Sequence, residues 1–146
     1  MGQQQLLLVI LVTIIVGIAT VVAINTFSSA ADSANVDAAR QDGLSIAAAS
    51  QQYYMKPTAL GGGGQSFNNI DFADISGVPV ERTSTVTQAF NENGSYNITS
   101  SSASSFTLDV IPSSCYSGNA FSASCDSDSD ISKLTATVRA DSIAWN

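Results

Sequence analysis

Leu6-Leu7-Leu8-Val9-Ile10-Leu11-Val12-Thr13-Ile14-Ile15-Val16-Gly17-Ile18-Ala19-Thr20-Val21-Val22-Ala23-Ile24 is the stretch on which the reading of this chain turns. It holds no charged side chain, and Thr13, Gly17 and Thr20 are its only interruptions. As a helix rising 1.5 Å per residue it covers roughly 28 Å, close to the hydrocarbon thickness of a bilayer. A helix apolar on every side needs lipid, or many neighbouring helices, around it. So small a domain has no room for it as a core helix.

Three readings compete for this segment. A secretory signal peptide would find cleavage-like residues at Val21-Val22-Ala23 or Ser29-Ala30-Ala31, but no basic region precedes the apolar run. A plain membrane anchor fits in length and lacks flanking Lys or Arg to set its orientation. The third reading, a helix that bundles with other copies of itself, depends on the residues after Ile24.

From Asn25 to Lys56 no proline occurs, and alanine, the best helix former, is abundant. Val36, Ala39, Gly43, Ile46, Ser50 and Tyr53 recur at three- and four-residue spacing, a narrow stripe of small and apolar side chains. Asp32, Asp37, Arg40 and Asp42 are placed on other faces. One helix over about residues 3–55 is expected, wholly apolar first and amphipathic later. Pro57 and Gly61–Gly64 should end it, with the glycines as a flexible link. The organisation is then a hydrophobic helix over 1–27, an amphipathic continuation over 28–56, a Gly-rich linker over 57–66 and a β-domain over 67–146.

That last part reads as antiparallel sheet. Asn93-Gly94 is a two-residue hairpin signal between Val80–Val86 and Ser95–Thr99. Phe106–Ile111 alternates and stops at Pro112, and Lys133–Ala140 alternates again, with Asp141–Asn146 as its extension. Three or four short strands against the amphipathic half-helix make the fold class α+β.

Composition narrows the function. Only 12% of residues are charged, about half the usual share, and the net charge is −7. That sign argues against nucleic acid and against polybasic attachment to anionic lipid. With no His, the commonest general base and metal ligand is missing, so no catalytic, cofactor or metal site is expected. Gly61–Gly64 lacks the Lys-Ser/Thr of a phosphate loop. Cys115 and Cys125 are expected to pair as a disulfide in an exported, Ser-rich chain. Asp126-Ser127-Asp128-Ser129-Asp130 fails the EF-hand pattern, with Ile131 and Thr137 where Gly and an acid belong, and reads as a solvated acidic turn. Asp71-Phe72-Ala73-Asp74 is weaker still as a calcium site. Asn93-Gly94-Ser95 and Asn97-Ile98-Thr99 match the glycosylation sequon, and Ser100–Ser105 offers hydroxyls for O-linked sugar.

The apolar helix near residue 1, its amphipathic continuation, the small sheet and the Cys-bounded loop together resemble a type IV pilin. Gln3-Gln4-Gln5-Leu6-Leu7-Leu8-Val9-Ile10, Gly17-Ile18-Ala19-Thr20 and Ala23-Ile24-Asn25-Thr26-Phe27 carry the likeness. It departs from that family at Gln5, where a Glu is usual, at Val22, with no Pro nearby, and in showing no basic leader. Removal of a leader before Met1, assembly without processing and cleavage after Gly2 stay open. The resemblance implies a homopolymeric surface filament whose subunits wait in the inner or cytoplasmic membrane and are handled by pilus assembly machinery. Its core would hold Leu6, Leu7, Leu8, Val9, Ile10, Leu11, Ile14, Ile15, Ile18, Val21, Val22 and Ile24, with β-domains outside. A monomeric anchored binding domain, or a minor pilin or pseudopilin of a secretion system, is the alternative. Adhesion, motility, DNA uptake and cell contact are the roles such a filament could serve.

Overall fold

A computed structural model describes residues 2–82, 85–115 and 133–146. The chain divides into two compact units, residues 1–34 and 35–146, and a single helix, α1 (Gly2–Met55), runs through both. The fold is α+β: α1 is followed by a short 3-10 turn (Thr58–Leu60) and an antiparallel sheet.

Among the described residues the sheet has six strands in sequence order: β1 (Glu81–Arg82), β2 (Gln88–Phe90), β3 (Gly94–Ser101), β4 (Ser105–Pro112), β5 (Leu134–Arg139) and β6 (Ile143–Trp145). It is a plain meander, with every neighbouring pair antiparallel. The three long strands fall where alternation places them. The extra strands are two or three residues long, too short to show a period of two. Val80–Val86 therefore does not form one strand; among its described residues, Glu81–Arg82 belong to the sheet. Asp141–Asn146 does not extend β5 but holds the separate strand β6 (Ile143–Trp145), folded back through a turn closed by Arg139 N–H donating to the Ser142 carbonyl at 2.8 Å.

In the unit 35–146, one face of the sheet carries the core. Tyr96 and Ile98 of β3, Phe106, Leu108 and Val110 of β4, and Ala136 and Val138 of β5 are buried on it, following the two-residue period. Ala39, Ile46 and Ala47 of α1 pack against them, joined by Phe67, Ile70, Phe72 and Ile75 from the segment between helix and sheet. Gly43 marks the closest approach: a Cβ there would stand 3.0 Å from the Trp145 ring and 3.1 Å from Val110. The expected stripe is thus the buried face. One assignment within it needs correcting: Asp42, placed on another face, is buried at 9% exposure beside Gly43. At three residues from Ala39 and four from Ile46 it lies in the stripe, and the charge obscured the spacing.

The glycine run is also corrected. Gly61–Gly64 is not a loose link but a turn folded onto the helix end. Gly63, Gly64 and Gln65 N–H groups donate to the carbonyls of Tyr53, Lys56 and Tyr54 at 2.9, 3.0 and 2.8 Å. These satisfy carbonyls that a helix end leaves without partners. A Cβ on Gly62 would collide with the Lys56 carbonyl, and one on Gly63 with that of Ser66. Gly62 and Gly63 are thus needed for close approach, and Gly61 and Gly64 for their positive φ of 76° and 57°.

Candidate functional site

The large exposed apolar side chains gather on the part of α1 in the first unit. Every described residue from Gly2 to Ala31 is exposed. Exposure of the large apolar side chains runs from 46% at Ile10 to 66% at Leu7, and Phe27 reaches 78%. Leu6, Leu7, Leu8, Val9, Ile10, Leu11, Ile14, Ile15, Ile18, Val21, Val22 and Ile24 are all among them, around the whole circumference. This helix contains a stretch long and apolar enough to cross a membrane. Gly17 has open space where a Cβ would stand. A shallow apolar notch on one face is lined by Val16, Ala19, Ala23, Ile24 and Phe27.

The threonine hydroxyls in this surface are satisfied within the helix. Thr13, Thr20 and Thr26 donate to their own helix at the carbonyls of Ile10, Val16 and Val22, at 2.8, 2.8 and 2.9 Å. With backbone groups satisfied along the helix as well, the segment can lie in hydrocarbon or against other helices.

In the second unit, a polar cluster missed by sequence reasoning holds the β2–β3 connection to α1. Asp42 Oδ2 accepts from Asn91 Nδ2 at 2.6 Å, Asn93 Nδ2 at 2.7 Å and the Tyr96 hydroxyl at 3.0 Å. Asn91 Oδ1 in turn accepts the backbone N–H groups of Asn93 and Gly94. The chain reverses over Asn91–Asn93, since Asn91 N–H donates to the Gly94 carbonyl at 2.9 Å. Asn93-Gly94 is therefore not the turn dipeptide, and neither residue has the positive φ of a type I′ turn. Gly94 belongs to β3, where a Cβ would strike the Ile111 carbonyl of β4.

The two sequon asparagines, Asn93 and Asn97, sit in different surroundings. The Asn93 amide nitrogen points inward to Asp42, whereas Asn97 is half-buried between Gln88 and Asp109 in the sheet. Cys115 is disulfide-bonded; Cys125, its expected partner, lies outside the described residues, as does Asp126–Asp130. Among the described residues, no group of three or more acidic or Cys side chains converges as a metal site. Asp71 instead caps its own turn, its Oδ1 accepting from Ala73 and Asp74 N–H at 2.7 and 3.1 Å. Asp74 lies beside Tyr53. Burial, then the neighbouring Asp71 charge, raises the Asp74 carboxyl above its ordinary value; burial, then Asp74 and Asp71, raises the Tyr53 hydroxyl. Asp109 is held by Lys133 at 3.1 Å and Thr135 at 3.2 Å, and Arg40 lies 5.8 Å over the Trp145 ring.

No protein family matches the chain, and neither a curated protein nor a solved structure matches it.

Proposed function

We propose that this chain is the structural subunit of an extracellular filament of the type IV pilin kind, assembled through residues 6–24 with the sheet domain outside. The observation that carries the reading is the full exposure of an uncharged helix segment that continues into the core helix of a folded domain. Burying about 15 apolar side chains at roughly 1.5 kcal/mol each gives tens of kcal/mol gross per subunit, before ordering costs. A second copy supplies such cover by packing helix against helix, with Gly17 and Ala19 allowing close approach. Before assembly, lipid covers the same surface, so the subunit waits in the membrane with the assembly machinery as a partner. The sheet domain needs no reacting group in this role.

Negative-stain microscopy of sheared surface material, with N-terminal mass spectrometry of its main band, tests the proposal. Filaments built of this chain and retaining residues 6–24 are expected. Detergent-soluble monomer without fibres would instead establish an anchored domain. A mature chain beginning beyond residue 23 would make the segment a signal peptide.

A further inference from the structure

We infer that Asn93-Gly94 is a latent deamidation site, kept inert by the fold and converted when the β2–β3 connection opens. It is the chain's only Asn followed by Gly, the neighbour that least hinders attack on the asparagine side chain. In that reaction the Gly94 backbone nitrogen attacks Asn93 Cγ. A carbon–nitrogen bond forms, the Cγ–Nδ2 bond breaks, and the displaced amide nitrogen takes the Gly94 proton and leaves as ammonia. Water then opens the resulting succinimide to aspartate or isoaspartate.

The folded unit restrains each participant. Gly94 N–H donates to Asn91 Oδ1 at 3.1 Å, which holds the proton that attack must release. On the other side of the same peptide, the Asn93 carbonyl accepts from Ser113 N–H at 2.8 Å and Asn35 Nδ2 at 3.1 Å. The peptide plane is thus held from both edges and cannot turn its nitrogen toward Cγ. Asn93 Nδ2 is drawn away by Asp42 at 2.7 Å.

The sequence cannot easily avoid this pair. Gly94 is required by the Ile111 carbonyl, and Asn93 supplies a donor to a buried carboxylate. Conversion would replace that donor with a second carboxylate beside Asp42, and like charges at that separation disfavour redocking at neutral pH. Opening of this connection is therefore recorded irreversibly. The inference rests on the unit 35–146 alone and stands whether or not filaments form.

The full chain in detergent micelles is incubated at mildly alkaline pH, folded and in urea, and peptide-mapped for aspartate and isoaspartate at position 93. Asn97, followed by the bulky Ile98, serves as internal control. Conversion at Asn93 is expected to be at least about tenfold slower folded than unfolded. Asn91→Ala should speed it in chains that keep the native circular dichroism; if that variant unfolds, Asn35→Ala replaces it. Equal rates in the folded and unfolded chain, an unfolded Asn93 no faster than Asn97, or folded variants no faster than the parent would each overturn the inference.

Discussion

Asp42 ties helix to sheet through three neutral donors. Removing its carboxylate takes the acceptor from the Asn93 amide, and one of two acceptors each from the Asn91 amide and the Tyr96 hydroxyl, which keep the Pro79 carbonyl and Asn91 Oδ1. Asp42→Ala is expected to destabilise the unit 35–146 by about 3 kcal/mol in urea denaturation, with Tyr96→Phe costing about 1 kcal/mol. Equal, negligible losses for both would show that the cluster contributes nothing. Asp74 gives a pH prediction. Its folded-state pKa is raised from 3.8, so the folded chain prefers the protonated form. That contribution is complete below the unfolded value and is lost as pH rises through the folded one. Asp74→Asn should therefore flatten the fall in melting temperature over that interval and leave stability at lower pH unchanged. A parallel pH profile for the variant would refute the assignment.

At the scale of elements, the amphipathic half of the helix and the three long strands are legible because their periods persist over many residues, and the first half of the helix because its apolar run holds no charge. The stripe from Val36 to Tyr53 is read correctly apart from Asp42, whose charge argued for solvent against its spacing. What the sequence concealed is close approach. Nothing local tells a flexible glycine run from one pressed onto a helix end, and nothing in Asn93-Gly94 reveals that Gly94 lies against the next strand. The exposed segment 6–24 is equally plain in sequence, and on the proposed reading its cover comes from other copies of the chain. The glycine turn is testable: Gly63→Ala puts a Cβ 2.8 Å from the Tyr53 ring and against the Ser66 carbonyl. A loss of about 1–3 kcal/mol is expected in denaturant titration, whereas a flexible linker would absorb the methyl group with no loss.

Over the whole chain, charge and hydropathy are segregated. No charged side chain precedes Asp32, so residues 32–146 carry the entire net charge of −7. In a polymer, that arrangement lets apolar helices pack while acidic domains repel across solvent, so lateral bundling should increase with salt. Turbidity or microscopy across an ionic-strength series checks this; bundling that falls as salt rises would contradict it. The central claim is that segment 6–24 is buried by copies of itself. Ile15→Asp tests it most directly, since it puts a charge amid the apolar surface without touching the sheet domain. Filament yield by microscopy should fall from wild-type abundance to none, while the domain keeps its β-sheet circular dichroism and cooperative melting. Filaments of normal abundance from Ile15→Asp would contradict the account.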